Sequence, residues 1–189
     1  MIVLTGFGPY GKNSVNLSGE IVKKFEYSSL NLPLVKKVFG VNWDLSLSSL
    51  RNLLTHVNPD PKLVILLGIH ESKKFHIEKL GWNFAFGKDI KNRIKLGLIQ
   101  YNSPMKLRTI LNINKIYSYL QSEHRKRISI SNYPGIYLCN YIYYWGLLLS
   151  EKKYPVVFIH IPYKIELSFG IKVIEKLIKT ILSTHPNMI

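Results

Sequence analysis

Three side chains in this sequence have the chemistry of a thiol hydrolase. Cys139, the only cysteine, follows a Pro-Gly turn and lies near the start of a predicted helix. Free backbone N–H groups and the positive dipole at a helix amino terminus favour the nucleophilic thiolate. His160 ends an apolar strand and can take the thiol proton, provided that its strand neighbours the strand before Cys139. Glu78 ends another apolar stretch, and its carboxylate can orient the imidazole as the third member of a triad.

Each of these residues also has an ordinary structural interpretation. A single cysteine is more often a small buried hydrophobe than a nucleophile, and a histidine that ends an apolar strand is more often structural. Glu78 lies next to Lys79, and a surface ion pair there would contribute only ~0–1 kcal/mol. The other histidines lack metal-ligand spacing, so no metal site is predicted. The residue types alone leave both interpretations open.

The glycine-rich segment 6–11 follows the first predicted strand. It lacks the lysine–serine ending of a phosphate loop and the third glycine of a dinucleotide-binding turn. No cofactor is therefore expected. The aromatic side chains of Phe7 and Tyr10 in this segment suggest the wall of a pocket instead.

Apolar strands alternate with amphipathic helices along the chain. Strands are predicted at 2–5, 34–41, 63–67, 75–78, 128–131 and 156–160, with an exposed loop or hairpin over 87–97. Helices are predicted between a cap at Asn16 or Ser18 and a break at Ser28-Ser29, and at 45–56, 107–121, 137–149 and 167–182. This alternation predicts an α/β fold, a single-domain three-layer α/β/α structure over residues 1–189 with a mostly parallel twisted sheet. Functional sites in such sheets lie at the carboxyl ends of the strands.

Composition excludes several function classes. The 189 residues are 47% hydrophobic and 20% charged, which is typical of a globular domain and not of a disordered chain. The chain has 26 lysines and arginines against 11 acidic residues, a net charge of +15 that is compatible with an anionic partner. The basic residues are scattered, however, and only residues 125–127 form a tight cluster. A nucleic-acid reader concentrates its charge, so nucleic acid is not the expected partner.

No targeting or membrane segment is expected. The first residues, MIVLTGFGPYGK, lack the basic leader of a signal peptide. The apolar stretch 135–150 is shorter than the ~20 apolar residues that span a bilayer. With one thiol and no export signal, a reducing cytoplasm is the predicted compartment.

Four motifs occur in a specific order along the chain: TGFGPYG, IEKLGWN, SNYPGIYLCNY and FIHIPY. Together, and with gaps over almost the whole chain, they resemble the pyroglutamyl peptidase I family, also called the pyrrolidone-carboxylate peptidases. The family's first pattern is Gly-Phe-x-Pro-Phe-Gly followed by an Asn-Pro pair. The matching residues are Gly6, Phe7, Pro9, Gly11 and Asn16 in this pattern, and Gly135, Tyr137, Leu138, Cys139 and Asn140 in the cysteine motif.

The resemblance implies a cysteine peptidase that removes an amino-terminal pyroglutamyl residue from peptides. Cys139 would be the nucleophile, His160 the general base and Glu78 the acidic member, and the backbone N–H of Cys139 would help to hold the oxyanion. Aromatic residues of the first glycine-rich turn line the lactam pocket in relatives. The residues implied for substrate binding here are Phe7, Tyr10 and Asn16. Relatives often form dimers or tetramers, which implies a homo-oligomer.

The sequence also departs from the family pattern. Relatives carry Gly-Arg shortly before the catalytic glutamate, whereas segment 68–74 has no arginine and one residue fewer. Lys73 or Lys74 would supply charge in its place, although an ammonium does not reproduce the planar fork of a guanidinium. Loss of an oxyanion donor costs on the order of 10²–10³ in turnover. In addition, Tyr10 replaces a phenylalanine and Leu17 a proline.

The leading hypothesis is a cytoplasmic pyroglutamyl peptidase. One alternative keeps the fold and the triad but has a different amide substrate, or weak or no activity. Another alternative is a basic binding module on the same fold, for which hydrolysis would be absent.

Overall fold

A computed structural model of the chain describes residues 1–11, 14–26 and 32–186. Its strands are β1 (Ile2–Phe7), β2 (Leu34–Phe39), β3 (Leu63–His70), β4 (Phe75–Glu78), β5 (Leu80–Trp82), β6 (Ala85–Lys88), β7 (Ile94–Gly97), β8 (Lys106–Arg108), β9 (Ile128–Ser131) and β10 (Val156–Pro162). Its helices are α1 (Leu17–Lys24), α2 (Trp43–His56), α3 (Ile113–Tyr119), α4 (Ser122–Arg125), α5 (Leu138–Ser150) and α6 (Leu167–Thr184).

The central sheet has six strands in the order β2-β1-β3-β10-β4-β9. All neighbouring pairs are parallel except β10 and β4. The short connection 71–74 between β3 and β4 explains this exception, because a parallel crossover needs a dozen or more residues. The predicted condition that the strand before Cys139 neighbours the strand of His160 is not met, since β4 lies between β9 and β10.

Helices cover both faces of the sheet, which confirms the three-layer α/β/α prediction. On one face α1, α3 and α6 bury apolar side chains against the inner strands, and on the other face α2 and α5 do the same. Strands β3 and β10 lie in the middle and are buried on both faces over most of their length. Their continuous apolar runs are the sequence mark of this position.

Two glycines let α1 lie unusually close to β1. A Cβ on Gly6 would lie 2.5 Å from the carbonyl oxygen of Ser18, and a Cβ on Gly19 would lie 2.4 Å from that of Phe7. The Ser18 hydroxyl accepts a hydrogen bond from the backbone N–H of Phe7 at 3.0 Å. Asn16 is the N-cap, and its side chain accepts from the Ser18 N–H. The predicted break at Ser28-Ser29 lies outside the described residues.

The helix predicted over 107–121 is partly wrong. Residues 106–108 form β8, which pairs antiparallel with β5, and the helix begins only at Ile113, where Asn112 caps it by accepting from the Lys115 N–H. The apolar residues at the start of this segment face β5 and α5, a partner that local periodicity does not reveal. The hairpin predicted over 87–97 is confirmed as β6 and β7. Asp89 holds its turn by accepting from the N–H groups of Lys91 and Arg93.

None of the helices in the described part of the chain is both long enough and apolar enough to cross a membrane.

The close approach of α1 to β1 predicts a specific sensitivity. Gly6→Ala should lower the free energy of unfolding by about 1–3 kcal/mol, because its methyl group would meet the backbone of Ser18. Gly40→Ala is the matched control, since a Cβ there meets nothing within 4 Å. Urea unfolding followed by circular dichroism measures both variants, and equal stability of the two would contradict the packing argument.

Candidate active site

The site forms over one face of the sheet, where β3, β10 and β4 lie side by side. His160 is opposite Gly68 of β3, and Glu78 of β4 is opposite Phe158, two residues before His160. Opposite residues and residues two apart share one face of a sheet, so these side chains project toward the same layer. Because β4 runs antiparallel, Glu78 lies deeper in the sheet than His160. The carboxylate thus stands behind the imidazole as seen from solvent.

Glu78 and His160 form a buried pair. The Nδ1 of His160 lies 2.8 Å from Oε1 of Glu78, and Glu78 has no exposed surface. The Tyr143 hydroxyl donates to the backbone carbonyl of Glu78 at 2.8 Å, which fixes the strand behind the pair. The Oε2 atom of Glu78 is buried without a hydrogen-bond partner among the described residues. A carboxylate in this position depends on a positively charged partner.

The pKa of His160 is raised for identifiable reasons. Burial alone would lower it, but hydrogen bonds with the side chains of Cys139 and Glu78, together with the charges of the same two groups, outweigh burial and raise the pKa to about 9. With Nδ1 bound to Glu78, Nε2 is the nitrogen left for the thiol. The imidazole therefore bridges the cysteine and the carboxylate and favours the protonated form at neutral pH.

Cys139 is the second residue of α5. The first intrahelical hydrogen bond of α5 runs from the Tyr141 N–H to the Tyr137 carbonyl, so the N–H of Cys139 precedes the helical ladder. The adjacent Asn140 anchors this turn, because its side chain accepts from the Trp82 N–H and donates to the carbonyls of Trp82 and Phe84, each at 2.8 Å. The helix start, and with it the thiol, is thereby fixed against the segment that follows Glu78.

Gly68 provides the space in which the thiol lies. A Cβ on this residue would be 2.8 Å from Sγ of Cys139 and 2.7 Å from the ring of Phe158. Only glycine allows α5 to bring the sulfur this close to the sheet. Its role beside the thiol was not predicted from the sequence. A glycine within an otherwise apolar, fully buried strand is the signal that could have found it.

A cavity of about 350 Å³ opens beside the thiol. Aromatic and aliphatic side chains form most of its wall, and its polar groups include Cys139 itself. The lining residues are Phe7, Tyr10, Asn16, Val41, Ile69, His70, Glu71, Tyr137, Leu138, Cys139 and Tyr163. A small, flat and largely uncharged molecule fits such a lining.

Tyr137 is held in the cavity wall from behind. Its ring packs against Trp43 at 5.1 Å and Tyr10 at 5.7 Å between ring centres, and its hydroxyl donates to the Lys88 carbonyl at 2.9 Å. Gly87 of the β6–β7 hairpin lies flat against this ring, since a Cβ there would be 2.5 Å from it. Its φ of +141° is also a value that favours glycine. The hairpin therefore supports the wall.

His70 stacks on the imidazole of His160. The ring centres of His70 and His160 are 5.0 Å apart with 23° between the planes. The Nε2 atom of His70 lies 2.8 Å from the Lys74 carbonyl, so that nitrogen carries the proton. Burial, followed by the charges of His160 and His76, lowers the pKa of His70 to about 4. At neutral pH the His70 ring is therefore uncharged.

The structure brings together most of the residues predicted from the sequence. Cys139, His160 and Glu78 are in mutual contact through the imidazole. The predicted pocket residues Phe7, Tyr10 and Asn16 all line the cavity. Lys73 and Lys74 do not belong to this lining, and both side chains are exposed. No group of ligating side chains suited to a metal ion occurs in 1–11, 14–26 and 32–186.

Several cavity residues were not predicted from the sequence. Apart from Tyr137 and Leu138 of the cysteine motif, they are Val41, Ile69, His70, Glu71 and Tyr163. All of them lie at or just beyond the carboxyl ends of β2, β3 and β10. The signal that could have found them is this position, because strand ends in parallel sheets commonly bear sites.

Comparison with known proteins agrees with this arrangement. The family model for pyroglutamyl peptidase matches residues 1–181. A pyrrolidone-carboxylate peptidase of Thermosipho africanus is 31% identical over 169 residues, covering 86% of this chain and 81% of the relative. One of Clostridium botulinum is 29% identical over 178 residues, covering 86% and 78%.

A solved structure extends the similarity to the fold. Pyrrolidone carboxyl peptidase from Thermococcus litoralis matches with a TM-score of 0.89 at 24% identity, covering 98% of this chain and 94% of that one. The resemblance drawn from the four sequence motifs is thereby confirmed. With a family model matched over nearly its whole length, the chain belongs to the pyroglutamyl peptidase family of cysteine peptidases.

Proposed function

We propose that this chain removes an amino-terminal pyroglutamyl residue from peptides by cysteine-dependent hydrolysis. The observation that carries the proposal is the contact of one buried imidazole, His160, with both Cys139 and Glu78 beside the cavity. Family membership supplies the reaction class, and this geometry supplies the groups that perform it.

The proposed reaction has two halves. The sulfur of Cys139 attacks the pyroglutamyl carbonyl carbon, and a C–S bond forms as the carbonyl oxygen gains negative charge. The C–N bond then breaks while His160 gives its proton to the leaving amine. Water attacks the resulting thioester with His160 as general base, the C–S bond breaks, and free pyroglutamate leaves as the Cys139 thiolate and the protonated imidazole form again. Glu78 holds the imidazole orientation throughout.

The start of α5 is suited to stabilise the oxyanion. The N–H of Cys139 precedes the first intrahelical hydrogen bond, and the first turn of α5 contains no acidic residue. A free N–H at a helix amino terminus stabilises negative charge that develops beside it. Lys73 and Lys74 are exposed and outside the cavity lining, so we assign them only a long-range charge contribution.

The cavity wall suits the lactam ring. Phe7, Tyr10 and Tyr137 present aromatic surface to an uncharged five-membered ring. The side-chain oxygen of Asn16 accepts from both the N–H and the hydroxyl of Ser18, which leaves the Nδ2 amide as a donor toward the ring carbonyl. This amide would distinguish a lactam from an apolar ring.

The hydroxyl of Tyr10 favours a second candidate function, which is the same reaction on a different acyl amide. Its hydroxyl adds a polar group to a wall where relatives carry phenylalanine, and it hydrogen-bonds Tyr137. A larger or more polar acyl group than pyroglutamate would use that hydroxyl. Comparison of pyroglutamyl, prolyl and glutaminyl amides as substrates separates the two candidates.

Compartment and assembly form part of the same proposal. A catalytic thiol must stay reduced, and Cys139 is free, which favours the cytoplasm. Exposed apolar side chains on the β6–β7 hairpin, among them Ile94 and Leu96, favour a homo-oligomer such as a dimer or tetramer. The scattered positive charge supports a peptide and not a nucleic acid as partner.

The proposed nucleophile gives the first activity prediction. The wild-type chain should release a fluorescent amine from a pyroglutamyl amide, and Cys139→Ala should reduce kcat/KM by on the order of 10³ or more. Ser72→Ala, a small change at a residue outside the cavity lining, should retain activity. A well-folded wild-type protein without turnover would overturn the proposal.

The raised pKa of His160 predicts the alkaline side of the pH profile. Since the protonated imidazole must give its proton to the leaving amine, kcat/KM should fall as pH rises through about 9. In Glu78→Gln, a charge that raises the pKa of His160 is lost, so the fall should begin at lower pH, by about 1 unit or more. Pre-steady-state and steady-state rates between pH 5 and 10 measure the shift. An unchanged alkaline limb would show that Glu78 does not act on His160.

Substitution of Gly68 by alanine should reduce activity while the fold is preserved. The methyl group of Gly68→Ala would displace the sulfur of Cys139, and a displacement of about 1 Å lowers turnover by roughly 10²-fold. We expect kcat to fall more than KM rises, with the circular dichroism spectrum preserved. Gly40→Ala is again the control. Full activity of the Gly68 variant would mean that the thiol does not need this space.

A further inference from the structure

The two ends of the cavity can be assigned to the two sides of the scissile bond. The aromatic wall, with Phe7 at the end of β1 and Tyr10 beyond it, takes the lactam ring under the proposed function, on which this inference rests. The leaving amine receives its proton from His160, so the second residue of the peptide must lie at the ends of β10 and β3. Two lining side chains stand there: Glu71 directly follows β3 and Tyr163 directly follows β10. The Tyr163 N–H donates to the His70 carbonyl at 3.1 Å, which joins the two strand ends.

Glu71 gives this end of the cavity a negative charge. It is the one carboxylate among the described residues that line the cavity, in a chain with 11 acidic and 26 basic residues. Its side chain is exposed, and no described cation lies within ion-pair distance of it. With no partner among the described residues, the carboxylate is available to a substrate.

No Lys or Arg among the described residues lines the cavity, and the charge of protonated His160 beside it is balanced by the buried Glu78. His70 is uncharged at neutral pH, because its pKa is lowered to about 4. Lys73 and Lys74 are exposed, and neither residue lines the cavity. The Lys164 ammonium lies over the Tyr163 ring, 5.3 Å from its centre, but Tyr163 is 46% exposed and keeps surface for a substrate side chain.

We infer that Glu71 is a specificity-determining residue that makes the site prefer peptides with a basic residue, lysine or arginine, immediately after the pyroglutamyl group. The aliphatic part of such a side chain packs on the aromatic surface of Tyr163, and its charged end reaches the carboxylate of Glu71. A peptide with an acidic second residue is repelled by the same carboxylate.

The test compares kcat/KM for amidated peptides pyroglutamyl-X-Ala-NH₂ with X as Lys, Arg, Gln or Glu. Amidation removes the terminal carboxylate, which would otherwise add a second charge. Since exposed ion pairs are weak, we expect Lys and Arg to exceed Gln by about two- to fivefold and Glu by about tenfold at low salt. The differences should shrink at 0.5–1 M NaCl, where the Debye length is only a few ångströms.

Two matched variants separate the local carboxylate from the overall charge of the protein. Glu71→Gln should abolish the preference, and Glu71→Lys should reverse it in favour of the acidic peptide. Glu123→Gln makes the same change in net charge at an exposed residue of α4 outside the cavity lining, and it should keep the wild-type preference.

The results that would overturn the inference differ from those that would overturn the proposed function. Hydrolysis of all four peptides at equal rates, or a preference that survives Glu71→Gln, overturns the inference and leaves the proposed function standing. Equal effects of Glu71→Gln and Glu123→Gln also overturn it, because the net charge would then be the cause. If the wild-type chain hydrolyses none of the four peptides, both the proposed function and the inference fail.

Discussion

The buried pair of Glu78 and His160 is the interaction on which the site depends. A carboxylate without exposed surface has lost its hydration and needs a positive partner at hydrogen-bond distance. The Nδ1 atom of His160 is that partner, at 2.8 Å from Oε1. The imidazole is therefore held in one orientation and favours its protonated form. Its remaining nitrogen is directed to Cys139, so a single buried pair determines both the geometry and the charge beside the thiol.

The topology of the sheet makes this pair possible. A short connection after β3 forces β4 to run antiparallel beside β10, which places Glu78 behind His160 and not at the sheet edge. Cys139 reaches the imidazole from above, at the first turn of α5, and Gly68 leaves room for its sulfur. The three groups thus come from an antiparallel strand, a parallel strand and a helix start. β9, the strand before Cys139, supplies none of the three groups and does not pair with β10.

Electrostatics differ between the two ends of the cavity. The end of the cavity with Phe7 and Tyr10 is aromatic and uncharged, whereas the end beside His160 combines a protonated imidazole, a neutral His70 and the carboxylate of Glu71. The net charge of +15 lies mostly on scattered surface lysines, and it acts on this site as a background and not as a contact.

From the sequence alone we predicted the three side chains that meet at the His160 imidazole, two aromatic residues of the cavity wall, the α/β class and most helix and strand positions. Motif identity and local periodicity are properties of neighbouring residues, so they can be predicted without a partner. The strand order, the β8 strand in place of a helix start, and the surroundings of Gly68, His70 and Glu71 are visible only in the folded chain. These features depend on contacts between segments that are distant in sequence. β5 pairs with β8, the sulfur of Cys139 in α5 packs against Gly68, and His160 stacks on His70. The environment of a residue arises from such long-range contacts, and the local hydrophobic pattern of the sequence does not predict them.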